Sequence, residues 1–471
     1  MNTASAEPIA RRAKQRAAAW IATVAMSLAF TLSYIDRQIL SLLVTPIKLS
    51  LDMSDTQIGI LQGVSFSIFN VLATLPLAAL ADRAHRPRLM AICMVAWSIA
   101  TCASGMAFSF AALMVARVGV AVSEAGLPPA AQSLLADLHD RRGLARATSI
   151  FMLAPFVGGG LALMLGGKLY AASAAWDMPT LAGLWTPERW QAILLIAGLP
   201  GLVLAPLMLL AVREPRTAAP SLPVASARNA LVAFLAENKA FCLPYMLAIA
   251  LLVTLLNAIV SWMPTVLIQR HGVDEATVGA SFGPAFIIAG ALGTIIAGWV
   301  VGRFPGEHML RRTTRLMCGG TFAMIAPAVI APMANSLVQT IALLTPAIFI
   351  LSAVISMSSI PFQLIAPAEL RAKVLAVLSI FAAFIGTGMG PLAVGSLSDA
   401  ISITQVSYPL ATSLSLMAGI CTIAITLLLL YASRRCPIIK NNMSAITLQY
   451  VGRAEPLTNQ ETGNKLNIGP D

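Results

Sequence analysis

Twelve apolar runs, each long enough to cross a lipid bilayer, dominate this 471-residue chain. A membrane-spanning helix needs about 20 consecutive, mostly apolar residues. Backbone groups exposed to lipid must bond internally, which leaves the helix as the structure for each run. The sequence therefore predicts an all-α membrane protein with twelve transmembrane helices. The runs lie near residues 18–44, 57–80, 88–108, 110–135, 146–171, 190–212, 241–268, 277–302, 313–333, 337–361, 372–398 and 408–432.

The charged residues are few and unevenly distributed. They make up 11% of the chain, against about 25% in a typical soluble domain. The net charge of +11 is compatible with nucleic-acid binding, but 25 of the 31 Lys and Arg residues fall in the tails and in turns on one predicted side. An excess of basic residues on one side is the positive-inside signature of membrane proteins. The charge therefore predicts a multi-pass protein of the cell inner membrane with both termini cytoplasmic, and no nucleic-acid partner.

The polar segments divide the chain into halves. Residues 213–240 are rich in Pro, Ala and Ser and separate six runs from six, which is typical of a linker. We predict a cytoplasmic tail over 1–17, bundles over 18–212 and 241–432, and a second cytoplasmic tail over 433–471. In each half a polar connection (DRRGLARATSI and AELRAKVLAV) precedes a glycine-rich helix. Repeated halves are characteristic of secondary transporters.

Four ionisable residues lie inside two of the apolar runs: Asp36 and Arg37 in the first, Arg117 and Glu124 in the fourth. Each costs roughly 2.5–3.5 kcal/mol at membrane depth, so such residues are commonly functional. At 1.5 Å per residue, Asp36 and Arg117 lie roughly 12 Å below the outer boundary. Glu124 shares the helical face of Arg117 and lies roughly 10 Å deeper. The spacing predicts a polar ladder between spans one and four.

This ladder suggests a coupling mechanism. A buried carboxylate that loses its basic partner binds a proton more readily. We therefore predict that Asp36 and Glu124 are proton-binding acids and that Arg117 is their exchangeable partner. The alternative is a static ion pair that only fixes helix packing.

A second charged group follows the second run, in the sequence LAALADRAHRPR over 77–88. Asp82 could cap a nearby helix N-terminus or pair with an arginine of the other half. With Arg83 and Arg86 it is predicted to latch a cytoplasmic gate. Positive-inside topology alone is sufficient to explain the two arginines, but not Asp82.

These motifs resemble those of the major facilitator superfamily. LAALADRAHRPR is similar to the loop signature of that family, with Ala78 and His85 at positions where glycine is usual. RVGVAVSEAGLPPA resembles the fourth-span motif, and REP at 213–215 resembles the usual end of span six. The resemblance implies two six-helix bundles and transport by alternating access.

Within the superfamily, the first two spans resemble the spinster branch. That branch typically has Asn-Tyr-x-Asp-Arg in span one, and here Ser33 replaces the Asn while the other residues match. Arg117 followed by Glu124 fits the same branch. The resemblance implies proton coupling through the acids of spans one and four. Spinster relatives include lysolipid and sphingoid-phosphate carriers, which suggests an amphiphilic anion as substrate.

The resulting hypothesis is a proton-coupled transporter of a small organic or amphiphilic anion, not an enzyme, acting as a monomer in contact with membrane lipid. Arg37 and Tyr34 are predicted to bind substrate, together with Asn257 and Trp262 on span seven. No catalytic set, nucleotide motif or metal-ligand spacing is present in the sequence, so no cofactor is expected. Two alternatives stay open: an organic-acid/proton symporter for nutrient uptake, and an uncoupled lipid-scrambling or scaffold protein.

Overall fold

The computed structural model describes residues 6–177, 180, 185–215, 225–304 and 308–437. Within these residues, twelve helices are long and apolar enough to cross a membrane. This number and the positions of the helices confirm the spans predicted from the sequence. We call them spans 1 to 12: Gln15–Leu42, Asp55–Ala81, Arg86–Ser104, Phe110–Leu138, Arg146–Ala175, Arg189–Ala211, Lys239–His271, Glu275–Val301, Met309–Met333, Leu337–Ile365, Lys373–Ser402 and Pro409–Arg434.

Prolines interrupt spans 4, 5 and 10. In each case a new helical segment begins with proline in its first turn. Proline costs no hydrogen bond there, because the first N–H groups of a helix have no acceptor within the helix. The segments after the breaks are Leu127–Leu138, Ala154–Ala172 and Ile360–Ile365. The segments before them are Phe110–Glu124, Arg141–Met152 and Leu337–Met357.

Spans 2 and 11 each contain a π-helical segment. Span 2 begins as Asp55–Gly59, passes through the π-helix Ile60–Val64 and continues as the α-helix Ser65–Arg83. Span 11 follows the same order, with Ala368–Phe381, the π-helix Ala382–Thr387 and then Gly388–Ser402. Such segments often occur at functional sites.

Further helices lie outside the spans or extend them. The helix of span 1 begins at Ala6, so the predicted tail 1–17 is helical from that residue onward. Short helices also form at Val44–Leu51, Ser173–Ala175 and Ala331–Met333. In the predicted linker 213–240, a helix runs over Ala225–Glu237 and contacts spans 7 and 11, while 216–224 lie outside the described residues. Most of the predicted tail 433–471 lies outside them as well.

The spans have two ends, which we name by the connections they carry. The linker side holds the connection between spans 6 and 7, and the distal side holds the connection between spans 1 and 2. Because the number of spans is even, residues 15 and 434 both lie on the linker side.

The two halves pack through spans 2 and 11, spans 5 and 8, and spans 1 and 7. Glycines allow the first two pairs to approach closely. A Cβ added at Gly63 of span 2 would lie 2.4 Å from the Gly388 carbonyl oxygen of span 11. One added at Gly279 of span 8 would lie 2.2 Å from the Leu163 carbonyl oxygen of span 5. Small residues permit such contacts between membrane helices.

Hydrogen bonds also join the halves along this interface. Gln38 Nε2 of span 1 donates to the Val260 carbonyl of span 7 at 3.0 Å. Ser67 Oγ of span 2 donates to the Ala383 carbonyl, in the π-helix of span 11, at 2.9 Å. Gln38, Val260 and Gly279 lie on the distal side of the middle of their spans, whereas the bond from Ser67 to Ala383 lies near the middle of spans 2 and 11. The halves are therefore closed against each other on the distal side.

Candidate functional site

The three ionisable residues predicted to form a polar ladder, Asp36, Arg117 and Glu124, come together between spans 1 and 4. Asp36 is fully buried, and Arg117 and Glu124 are 2% and 6% exposed. Asp36 lies six residues from the distal end of span 1 and Arg117 seven residues from that of span 4, at about 9 and 10 Å depth. Arg117 Nη1 approaches the Asp36 backbone carbonyl at 3.5 Å. The two residues thus lie at one level, as the helical rise predicted.

Arg117 contacts the Asp36 backbone and not its carboxylate. The residues that the structure describes show no ion pair between these two side chains. Instead, Thr101 of span 3 donates a long hydrogen bond of 3.4 Å from its hydroxyl to Asp36 Oδ2. In this conformation the predicted partner is adjacent but disengaged from the acid.

Three of these side chains keep a buried polar atom without a hydrogen-bond partner among the residues that the structure describes: Asp36 Oδ1, Arg117 Nε and Glu124 Oε1. Glu124 interacts electrostatically with Arg37 and Arg117 and faces Ser33 of span 1. A buried polar atom without a partner costs about 1–3 kcal/mol, and more when it is charged. Protonation of an acid would lower its share of that cost, and a polar ligand with acceptor groups could satisfy the Arg117 Nε–H.

Arg37 occupies an aromatic site beside this cluster. Its guanidinium carbon lies 4.1 Å from the ring centroid of Phe66 on span 2 and 5.9 Å from that of Tyr34. The Arg117 guanidinium is 6.0 Å from the same Phe66 ring. Two cations therefore share one aromatic ring, which stabilises them through its negative face. Tyr34 and Arg37 are half-buried, and Phe66 is 2% exposed.

The residues of span 7 that were predicted to bind substrate have other contacts. Trp262 is fully buried, and its indole N–H donates to the Pro391 carbonyl of span 11 at 2.9 Å. Asn257 is half-buried and donates to the Val253 carbonyl within its own helix at 2.9 Å. In the described part of the chain, neither side chain hydrogen-bonds to the cluster between spans 1 and 4.

The charged group on the linker side forms a network within the first half. Arg86 Nη1 pairs with Asp137 Oδ2 at 2.6 Å, and Arg86 Nε donates to Glu214 Oε1 at 2.9 Å. The Arg86 backbone amide donates to Glu214 Oε2 at 2.8 Å. Burial opposes ionisation of the Glu214 carboxyl, but these bonds from Arg86 outweigh it and lower the pKa of Glu214.

This network joins the start of span 3 to the ends of spans 4 and 6. The Arg86 contacts therefore lie inside one half, although a latch between halves was one of the predicted roles for this group. Arg83 is exposed at the end of the span 2 helix. The side chain of Asp82 lies outside the described part of the structure.

Two residues at the cluster were not predicted from the sequence, Phe66 and Thr101. Phe66 is one of two phenylalanines in its span, and the other, Phe69, is 40% exposed. Nothing in the local sequence distinguishes the two, because helical position relative to span 1 depends on packing. No group of three or more His, Cys, Asp and Glu residues able to hold a metal ion occurs in the described part of the chain.

Comparison with known proteins gives the chain clear relatives. The family model described as the Major Facilitator Superfamily matches residues 26–391. An MFS-type efflux pump of Mycolicibacterium smegmatis is 28% identical over 402 residues, which cover 85% of this chain and 89% of that protein. Human protein spinster homolog 1 is 33% identical over 186 residues, which cover 39% of this chain and 32% of that protein.

A solved structure extends the similarity at the level of the fold. It is the crystal structure of a bacterial homolog of the human lysosomal transporter spinster, in an inward-facing and unoccupied conformation. The TM-score is 0.71 at 23% sequence identity, covering 94% of this chain and 99% of the other. The match confirms the predicted fold of two six-helix bundles.

Proposed function

The chain belongs to the major facilitator superfamily of membrane transporters, and from this premise we propose that it is a proton-coupled secondary transporter. It moves a small organic or amphiphilic anion, for example one of the lysolipid type, across the inner membrane by alternating access. Its relatives support a spinster-like branch. The single observation that carries the coupling proposal is the buried cluster of Asp36, Arg117 and Glu124, each with an unpartnered polar atom.

Coupling depends on exchange of partners within that cluster. With both acids ionised, Asp36 and Glu124 balance Arg37 and Arg117, and the cluster is neutral. Protonation of one acid leaves a net positive charge, which attracts an anion and weakens the hold of the carboxylates on Arg117. A change in helix packing that brings the Arg117 guanidinium onto the Asp36 carboxylate would expel the proton again.

Arg37 and Tyr34 are the proposed substrate contacts. Arg37 is half-buried, and its guanidinium lies over the Phe66 ring. The N–H groups at its edge can still donate to an anionic group of the substrate. The aromatic side chains beside it can contact the apolar part of an amphiphile. Asn257 and Trp262 stay predictions for the second half. The contacts of Trp262 with Pro391 mean that its participation would require rearrangement of spans 7 and 11.

Alternating access requires gates on both sides. Closure of the distal side in this structure, and similarity to a homolog captured in an inward-facing conformation, support a state whose linker side is open. We assign the linker side and both termini to the cytoplasm on the distribution of Lys and Arg. Asp82, Arg83 and Arg86 would then belong to the cytoplasmic gate, with Arg86 holding the first half together. One pair of bundles is sufficient for this cycle, so we expect a monomer.

The test uses purified protein in liposomes that contain a pH-sensitive dye. Lysophosphatidylglycerol, an aromatic acid and a sugar acid are added in turn, and proton entry is recorded with and without a pH gradient. Wild-type protein should couple proton entry to one of these anions. Asp36→Asn and Glu124→Gln should abolish it, because an amide cannot carry the proton.

Asp52→Asn is the matched control. Asp52 is exposed in the distal connection with φ 47°, a backbone conformation that asparagine adopts readily. It should keep wild-type coupling. Normal proton entry in both cluster variants would overturn the proposal.

The same assay separates the alternatives. An organic-acid symporter would respond to the sugar acid or aromatic acid and not to the lysolipid. A scrambling or scaffold protein would show no dependence on the pH gradient with any of the three.

A further inference from the structure

Asp399, at the distal end of span 11, binds the start of span 2 in the opposite half. Its Oδ1 accepts a hydrogen bond from the Asp55 backbone amide at 3.1 Å. Its Oδ2 accepts from the Thr56 amide at 2.8 Å and from the Thr56 hydroxyl at 2.6 Å. One carboxylate thus holds two successive backbone amides of another helix.

These two amides have no partner inside their own helix. The first N–H groups of any helix lack an intrahelical acceptor. The capping residue Ser54 satisfies the third of them, accepting from the Gln57 amide at 3.2 Å. The first two, at Asp55 and Thr56, are satisfied by the other half of the molecule. The positive end of the helix also favours a carboxylate at this position.

A second carboxylate reinforces the same contact. Asp55 is 7% exposed and accepts a hydrogen bond from Lys48 Nζ. Its Oδ2 accepts from the Ser398 hydroxyl at 2.7 Å, again across the halves. We call Lys48, Asp55, Thr56, Ser398 and Asp399 the distal latch. Its bonds run in both directions between spans 2 and 11, so the ends of these spans cannot separate without breaking them.

We infer that Asp399 acts as a positioning residue of the transport cycle, setting the population of the distal-closed conformation through the first turn of span 2. This inference rests on the proposed alternating access but not on proton coupling or on any substrate. When the distal side opens, the amides of Asp55 and Thr56 exchange the Asp399 carboxylate for water. The free energy of the latch therefore contributes to the barrier for distal opening and to the equilibrium between the distal-closed and distal-open conformations.

The test measures conformation directly, by distances between spin labels in full-length protein reconstituted in nanodiscs, on a background with the six native cysteines replaced. One label pair, at Met106 and Val338, reports the distal ends of the two halves away from the latch. A second pair, at Arg88 and Arg312, reports the linker-side ends. These four side chains are exposed, so labels disturb no buried contact.

Asp399→Asn should raise the ratio of distal-open to distal-closed molecules about tenfold, because hydrogen bonds to a charged group are roughly twice as strong as neutral ones. The Met106–Val338 distance should lengthen while the Arg88–Arg312 distance shortens. Thr56→Val removes only the hydroxyl bond and should shift both distances in the same direction by a smaller fraction. It keeps the test decisive should Asp399→Asn fold poorly.

Asp274→Asn is the matched control. Asp274 also caps a helix on the distal side, accepting from the Thr277 amide at 2.9 Å, but within one helix of one half. It should leave both distance distributions at their wild-type values. Unchanged distances in Asp399→Asn and Thr56→Val, or an equal shift in Asp274→Asn, would overturn the inference. Either result can be read even when no anion drives proton entry, so it is independent of the proposed substrate and coupling.

Discussion

In the distal-closed conformation, span 8 lies so near to span 5 that adding one methyl group at Gly279 should shift the protein towards the distal-open conformation. In Gly279→Ala, the new Cβ would lie 2.2 Å from the Leu163 carbonyl oxygen, 3.0 Å from the Leu163 carbonyl carbon and 3.3 Å from Met164 Cα. All three are backbone atoms of the opposite half and cannot rotate away. Ordinary contact begins near 3.4 Å, so the two helices must separate by about 1 Å at this point.

The cost falls on one conformation. Overpacking a tight interior by one methyl typically costs about 1–3 kcal/mol. The distal-closed state bears this cost, whereas a distal-open state, in which spans 5 and 8 have parted, does not. A difference of that size changes the ratio of the two conformations by about 5- to 150-fold.

Amide hydrogen exchange at the distal latch is the assay. The latch joins spans 2 and 11, and Gly279→Ala changes neither of them. Faster exchange at the latch therefore reports separation of the two halves and not a local effect of the substitution. The amides of Asp55 and Thr56 depend on Asp399 of the other half and should exchange faster in Gly279→Ala. The expected acceleration is the same 5- to 150-fold, since exchange follows the population of the open form.

Gly390→Ala provides a control with an equal clash. Its Cβ would lie 2.3 Å from the Thr254 carbonyl oxygen, but spans 11 and 7 belong to the same half. This variant should lower the thermal stability and leave the latch amides protected. If Gly390→Ala opened the latch as strongly as Gly279→Ala, or if neither did, the link between the span 5–8 contact and distal closure would be refuted.

Two further outcomes follow from the contacts of individual side chains. Arg86 lowers the pKa of Glu214 in the folded protein. The pair therefore stabilises the fold at pH values above the ordinary glutamate pKa of about 4.3. This stabilisation is lost as the pH falls through the lower pKa of the folded state. Thermal unfolding across that range should therefore show a smaller acid-induced loss in Glu214→Gln than in wild type. If Trp262 has only the packing role seen in its bond to Pro391, Trp262→Phe should cost about 1 kcal/mol of stability while proton entry driven by the anion continues. A selective loss of that flux at unchanged stability would instead support a substrate role for Trp262.

The spans and the level of the charged cluster could be predicted because they follow from helix length and rise. Asp36 and Arg117 meet at one depth since each residue advances 1.5 Å along its helix. The direction of each side chain is not fixed by that rise. A rotation of a few tens of degrees decides whether Arg117 reaches the carboxylate or the backbone carbonyl of Asp36, and it depends on the packing of spans 1, 3 and 4.

The contacts of Arg86 and of the latch could not be predicted, for a related reason. Glu214 is 128 positions from Arg86, and Asp399 is 343 positions from Thr56. From the sequence alone, Asp55 is one acidic residue in the first turn of a helix and Asp399 is one polar residue near the end of a span. Neither pattern indicates a contact between the halves. Only the packing of spans 2 and 11 shows that the cap of one helix comes from the other half.

Span 2 and span 11 each carry an aspartate near the end where the other begins. Asp399 lies three residues before the distal end of span 11, beside the first turn of span 2. Asp82 lies just past Ala81 in the helix Ser65–Arg83, on the linker side, where the helix Ala368–Phe381 leads into span 11. Distal closure engages Asp399 in this structure. If Asp82 has the predicted latch role, rocking the halves the other way would release Asp399 and bring the linker-side end of span 2 towards the start of Ala368–Phe381, where the first amides of a helix lack intrahelical acceptors. Such an exchange of one helix cap for another would keep the two conformations within a few kcal/mol of each other, which is the range in which a bound proton and a bound anion can shift their populations.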